Sequence, residues 1–176
     1  MNRRGSPTVV PAVIALVRVD NRLLHGQILE TWVPRLGVRE VVVADDEAAG
    51  SPLARAAMTL CVPPELPVRI EPIGRIAWPA LAEGGTPALV LVRDVAGLAA
   101  ARAAGLTASL APRVNVGNVH FGPGRRPITP SVFLTGDEVR ELRALADAGF
   151  AIEARAIPSE PPTGMDEIER RYAAAR

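Results

Sequence analysis

The densest run of chemistry-bearing side chains is Arg18-Val-Asp-Asn-Arg-Leu-Leu-His-Gly-Gln27, which gathers two arginines, one aspartate and one of only two histidines in the chain. A neutral imidazole is a good nucleophile toward phosphorus, and arginines neutralise the equatorial oxygens of a transferring phosphoryl group. In that chemistry His25 is the nucleophile, and Arg18 and Arg22 screen the phosphate charge. Asp20 accepts one imidazole N–H, which fixes the tautomer and leaves the other ring nitrogen free to attack. Gly26 lets the backbone approach a phosphate closely, and Gln27 can donate a hydrogen bond to it. Spacing alone leaves a second reading open, because a histidine at the start of a helix is more often structural or merely exposed.

The flanking residues say where this run sits. An apolar stretch, Val9 to Val17, ends at Arg18, and Ile28, Leu29, Trp32, Val33 and Leu36 then recur with helical spacing. Strand over 12–19, polar loop, and helix over 27–36 ended by Gly37 is the expectation. A loop from the C-terminal end of a strand into a helix N-terminus suits an anion, since free backbone N–H groups and the helix dipole both favour negative charge.

The remainder alternates in the same way. Residues 39–44 hold three consecutive valines, as a parallel strand covered on both faces does. A polar turn over 45–52 follows, then a helix to about Cys61 with Ser51 as N-cap and Pro52 at its first position. Strands are expected at 66–71, 88–92, 110–116 and 150–157, with a short β-like piece at 131–134. Helices are expected at 75–83, from 94 or 95 to 104, from a Thr135/Glu138 capping box to Gly149, and at 165–174. A glycine-containing loop spans 115–124. The pattern predicts one α/β domain over residues 12–176, preceded by a flexible extension over 1–11. Its architecture is a doubly wound, mostly parallel open sheet of about seven strands with helices on both faces.

Composition removes several function classes. A net charge of +1 and 3% aromatic residues exclude a broad nucleic-acid footprint. All 20 basic residues are arginine, so Schiff-base and P-loop lysine chemistry are impossible. No Gly-x-Gly-x-x-Gly follows the first strand, no Gly-x-Ser-x-Gly occurs, and two histidines with one cysteine make a metal site unexpected. No cofactor is expected, and the lone Cys61 fits a reduced, cytoplasmic setting. Arg3-Arg4 before the apolar run imitates a secretory leader, but Pro11 interrupts it and charges follow at once.

The pattern Arg18-x-Asp20-x-Arg22-Leu23-x-His25-Gly26-Gln27 closely resembles the active loop of the IIB component of the mannose/sorbose class of the bacterial sugar phosphotransferase system. The likeness continues through Val41 to Leu53, Cys61-Val-Pro-Pro64, Asn115-Val-Gly117 with His120-Phe121, Ser131 to Thr135 and Ile157-Pro158. The resemblance implies that His25 takes a phosphoryl group from a phosphohistidine on a IIA partner. It then passes the group to a sugar held by membrane IIC and IID subunits, with no ATP or metal at this step. It also implies an open, mostly parallel sheet, and makes a homodimer plausible. The alternative role is a regulatory phosphohistidine protein without sugar transport, and a third is an inactive scaffold that binds partners only. The chain departs from the family pattern at Asn118, where a second glycine is common, in its N-terminal extension, and in having arginine for lysine.

Secondary candidates are weaker. Asp45 and Asp46 could line the same crevice, but acids beside a dianion repel it unless paired, so their alternative is turn residues held by arginine. His120 could contact a partner or shape the pocket. Arg125-Arg126 reads as a solvated pair or an acidic-partner contact, Trp32 and Trp78 as core, and Cys61 as a small buried hydrophobe.

Overall fold

A computed structural model describes residues 14–175; the expected extension over 1–11 and the first two residues of the expected opening strand lie outside them. Among the described residues nine strands form, β1 (Ile14–Asp20), β2 (Glu40–Ala44), β3 (Val68–Glu71), β4 (Ala88–Val92), β5 (Arg113–Asn118), β6 (Arg126–Thr129), β7 (Val132–Leu134), β8 (Ala151–Ala154) and β9 (Thr163–Gly164). Seven of them make one sheet in the order β3-β2-β4-β1-β5-β8-β9. All of its pairings are parallel except β8 with β9. The helices are α1 (Val33–Leu36), α2 (Asp46–Gly50), α3 (Pro52–Thr59), α4 (Trp78–Glu83), α5 (Val95–Ala103), α6 (Gly136–Asp147) and α7 (Met165–Ala174).

Strand alternation divides the core in two. Val41 and Val43 of β2 join Leu16, Ile28, Trp32 and Ala48 on one face, whereas Val42 and Ala44 join Trp78, Leu98 and Leu142 on the other. Each fully buried valine or leucine contributes roughly 1.5–3 kcal/mol, so both faces of the sheet are held. The segment after β1 covers the first face, while α5 after β4 and α6 after β5 cover the second. Connections that leave β1 and both its neighbours toward opposite faces open a crevice at the C-terminal edge of β1.

Several elements differ from expectation for local reasons. Residues 46–50 are helical rather than a turn, because Asp45 Oδ1 accepts the Ala48 N–H at 2.8 Å and caps α2. The helix expected over 27–36 opens with a π-helical turn, Ile28–Trp32, before α1 and the left-handed Gly37. The expected helix over 75–83 divides into a 3₁₀ turn, Ile73–Arg75, and α4. Strand β6, hidden in the sequence by Pro127 and Pro130, pairs antiparallel with β7, and a two-stranded hairpin tolerates the missing proline N–H. Strand β8 stops at Ala154, because the following residues are held by Arg155 and Glu160, whose carboxylate accepts the Ala156 N–H at 2.8 Å. The capping box of Thr135 and Glu138 forms as expected. Cys61 is exposed, not buried, because α3 lies on the surface with no buried residue. No helix among the described residues is long and apolar enough to cross a membrane.

Candidate active site

Alternation along β1 sends Val17 and Val19 into one core and Leu16 into the other, so Arg18 and Asp20 follow Leu16 onto the face covered by Trp32. Both are 0% exposed. A buried charge requires a partner, and here each supplies the other's. Arg18 Nη2 and Nε donate to Asp20 Oδ2 at 2.9 and 3.2 Å, and Nη1 donates to Asn115 Oδ1 and to the Arg155 carbonyl. The Arg18 guanidinium also lies 5.0 Å from the Trp32 ring centroid, which Arg155 approaches at 5.5 Å. Trp32 Nε1 donates to the Ala156 carbonyl at 3.0 Å, so this tryptophan is core, as expected, and also a platform. Trp78 is fully buried as well.

Asp20 is the hub. Its Oδ1 accepts the Arg22 N–H at 3.0 Å and Asn118 Nδ2 at 3.4 Å, and its Oδ2 lies 3.3 Å from His25 Nε2. Burial pushes this carboxyl upward, but the bonds from His25, the Arg18 charge and the Arg22 N–H outweigh it and hold the group below the ordinary carboxylate range. An ionised carboxylate only accepts, so Nε2 is the donating nitrogen and the neutral ring carries its lone pair on Nδ1. Nδ1 is enclosed and has no hydrogen-bond partner among the described residues. The side chain as a whole is 9% exposed.

The loop is tightly wound around the ring. Leu23 N–H returns to the Asp20 carbonyl at 2.9 Å, and Leu23 adopts φ +55°, a left-handed conformation that costs about 1–3 kcal/mol for a residue with a side chain. Burying that side chain, 2% exposed, offsets the strain. The His25 carbonyl accepts the Ile28 and Leu29 N–H groups at 3.0 and 3.3 Å, which starts the helix. Gly26 and Gln27 are exposed, and space is open where a Gly26 Cβ would stand.

The structure brings His25, Asp20 and Arg18 together but gives Arg18 another task. Its guanidinium is sealed beneath the loop as countercharge to Asp20 and cannot also face a phosphate. Arg22 is exposed, and its guanidinium makes no hydrogen bond or ion pair among the described residues. It is the arginine of the two that is free to meet an anion.

Asp45 and Asp46 do not join this group. Asp45 caps α2 and receives Arg93 through two bonds of 2.7 and 2.9 Å, and its carboxyl lies below the ordinary range because these bonds outweigh burial. Asp46 Oδ1 accepts the Ile73 N–H at 2.8 Å. Asp45→Ala is therefore expected to cost about 1–2 kcal/mol through the lost cap, read from urea denaturation. Phosphate labelling of the folded variant should match the parent; a labelling defect would return Asp45 to the site.

His120 is exposed at the rim. Its N–H donates to Asn21 Oδ1 at 2.7 Å, while Asn21 Nδ2 donates to the Arg93 carbonyl at 2.8 Å. Asp45, Arg93, Asn21 and His120 thus tie together the ends of β2, β4, β1 and β5. The His120 loop is further pinned by Arg125, which bonds the His120 carbonyl at 3.0 Å and pairs with Glu138, while Arg126 stacks on Tyr172 at 4.8 Å. Arg125 is a paired charge, whereas Arg126 is exposed and meets only the Tyr172 ring and carbonyl among the described residues. Sequence reasoning gave no role to Asn21, Asn115, Asn118, Arg93 or Arg155. The available signal was Asn115 between two valines of a buried strand, which requires buried partners.

The profile of the "PTS system sorbose subfamily IIB component" family matches residues 14–175. The chain is 26% identical over 159 residues to the fructose-specific EIIB component of Bacillus subtilis, covering 89% of this chain and 96% of that protein. It is 28% identical over 156 residues to an N-acetylgalactosamine-specific IIB component of Escherichia coli, covering 88% and 98%. The mannose-specific EIIAB component of Escherichia coli is 22% identical over 158 residues and is spanned over 48% of its length. In fold, the chain matches the crystal structure of manxB from Thermoanaerobacter tengcongensis with a TM-score of 0.80 at 24% identity, covering 90% and 96% of the two chains. The IIBSor domain of the sorbose permease from Klebsiella pneumoniae gives 0.77 at 20% identity, covering 89% and 96%. With its seven-stranded sheet and a family match running almost end to end, the chain belongs to the sorbose subfamily of IIB components of the sugar phosphotransferase system.

Proposed function

We propose that this chain is a phosphoryl carrier that accepts phosphate on His25 from a phosphohistidine of a IIA partner. It then passes the group to a sugar held by membrane IIC and IID subunits, working on their cytoplasmic side. The observation that carries the reading is the Arg18–Asp20–His25 arrangement, in which a buried, ionised Asp20 takes Nε2–H and leaves the lone pair on Nδ1. Attack from Nδ1 forms the new N–P bond as the donor's N–P bond breaks. Nε2 keeps its proton, so the phosphorylated ring is an imidazolium whose positive charge lies against Asp20. Because the donor's N–P bond already carries the transfer potential, the chain needs only positioning and charge stabilisation.

Nδ1 is closed off in the present conformation, so acceptance entails movement of the loop. Leu23, strained at φ +55°, is where a torsion can change, and the space beside Gly26 is open. Gly26, Gln27 and the Arg22 guanidinium then form the rim that meets the phosphate oxygens. The fructose-specific and N-acetylgalactosamine-specific names of two relatives of similar identity fit a sugar chosen by the membrane subunits.

The test is incubation with phosphoenolpyruvate, enzyme I, the carrier HPr and a phosphorylatable IIA protein, followed by detection of acid-labile phosphate. A folded chain that stays unlabelled while IIA is labelled would overturn the reading. Arg22→Ala should slow acceptance by about 10²-fold or more, as for other removed transition-state donors, with no loss of stability because the side chain is solvated. An unchanged single-turnover rate would remove Arg22 from the site.

A further inference from the structure

We propose that Gly117 is a positioning residue: its missing side chain forms the floor of the slot that holds Arg18 against Asp20, and through them fixes the proton of His25. The phosphoryl-carrier reading is needed only for the kinetic half of the test below.

Gly117 lies in β5, beside β1 and close to the point where Arg18 faces Asn115. A Cβ built there would stand 1.9 Å from Arg18 Cζ, 2.0 Å from Nη1 and 2.2 Å from Nη2. Near-equal distances to three atoms of a planar group mean that the Cβ would enter through the centre of its face. The guanidinium therefore lies flat on the Gly117 backbone. Gly117 is not among the residues with positive φ, so no left-handed backbone demands glycine there, although the β1–β5 register skips it. What excludes a side chain there is the guanidinium.

The other walls leave Arg18 nowhere to retreat. Trp32 sits 5.0 Å away, Asn115 Oδ1 and the Arg155 carbonyl take Nη1, and Asp20 takes Nε and Nη2. Asn115 is itself held, through Nδ2, by the Arg155 carbonyl at 3.2 Å. A methyl at position 117 must push the guanidinium off this plane. Doing so loosens its two bonds to Asp20 Oδ2, the oxygen that faces His25 Nε2. Gly117 is buried and meets Arg18 directly; a second route to Asp20 runs through its neighbour Asn118, whose Nδ2 donates to Asp20 Oδ1 at 3.4 Å, and the Arg18→Lys background below separates the two.

A double-mutant cycle of Gly117→Ala and Arg18→Lys tests this, because a lysine keeps a cation for Asp20 but lacks the planar group that a Cβ strikes. The first readout needs no phosphate: the ring ¹⁵N resonances of His25 with the ring neutral. In the parent, protonated Nε2 and lone-pair Nδ1 lie far apart. In Gly117→Ala they should converge as the tautomers mix, and in the Arg18→Lys background the same substitution should move neither. The second readout is single-turnover phosphoryl acceptance. Gly117→Ala should lower the plateau rate on the order of 10²-fold, the effect of misplacing a reacting group by about an ångström. The half-saturating donor concentration should not change, and the added loss in the Arg18→Lys background should be near zero.

A Gly117→Ala effect of equal size in both backgrounds would overturn the proposal, as would unmoved ring nitrogens in a folded Gly117→Ala protein. Should Gly117→Ala fail to fold, recovery of a folded chain on adding Arg18→Lys supports the proposal, and a double variant no better folded overturns it. A parent chain that never takes phosphate defeats the carrier reading, while the nitrogen resonances still decide the role of Gly117.

Discussion

Replacing His25 with alanine should leave a folded protein that carries no acid-labile phosphate under conditions where its IIA donor is fully labelled. The effect is complete because no other described nucleophile occupies the loop, and the second histidine, His120, lies on a separate rim segment bonded to Asn21 through its backbone. The stability cost should be small but measurable. His25 is 9% exposed on its side chain and gives one hydrogen bond of 3.3 Å to Asp20, so truncation should remove about 1 kcal/mol. Asp20 keeps Arg18 and the Arg22 N–H, so no buried charge is left alone. The checks are phosphate labelling and a urea denaturation curve on the same preparation. Residual labelling of His25→Ala near the parent level would move the acceptor elsewhere, and His120→Ala would then identify it.

Arg18→Met should produce the largest loss of stability, about 3–5 kcal/mol at neutral pH, the cost of breaking a buried ion pair by removing one partner. Methionine fills much of the space against Trp32 but offers Asp20 nothing. The pH dependence follows from the carboxylate. In the parent, Asp20 titrates below its unfolded value, so it contributes stability that is present above an unfolded carboxylate pKa of about 3.9 and is lost as pH falls through the folded pKa. Without the Arg18 charge the folded pKa rises, because burial is then opposed only by His25 and the Arg22 N–H. The variant then carries an unfavourable charge at neutral pH that acidification removes. Denaturation midpoints of parent and variant should therefore converge between pH 7 and roughly pH 4. A gap that stays constant over that range would mean Asp20 is not the group Arg18 serves. The contrast with Arg22→Ala is sharp: Arg18 is buried against Asp20, whereas Arg22 is exposed, so only the first substitution should cost stability.

The elements that position the site were legible because their signals are local. Val41 to Val43 and Ala88 to Val92 are runs that only a doubly covered parallel strand uses, and both became strands within a residue of expectation. Ser51-Pro52, Asp94 and Thr135/Glu138 marked helix starts because capping requires a side-chain oxygen within three residues of the N–H it satisfies. Elements whose definition depends on a distant partner were not legible. The β6–β7 hairpin looked like a proline-broken loop, and β9 is two residues that exist as a strand only beside β8. Cys61 was misplaced because an apolar helix end reads as buried, whereas α3 lies on the surface and buries no residue fully.

The sequence by itself determined the strand and helix alternation apart from α2, β6 and β9, the loop that carries His25, and the reactive groups within ten residues of one another. It could not distinguish Arg18 from Arg22, because both are cations in the same ten-residue run as the histidine. Only the tertiary structure decided that. The period of a strand turns Arg18 inward with Asp20, and β5 then delivers Asn115 and Gly117, about a hundred residues later in the chain, to the same point. A charge inside a protein is tolerated only where partners converge on it, and that convergence is a property of strand pairing rather than of neighbours in sequence.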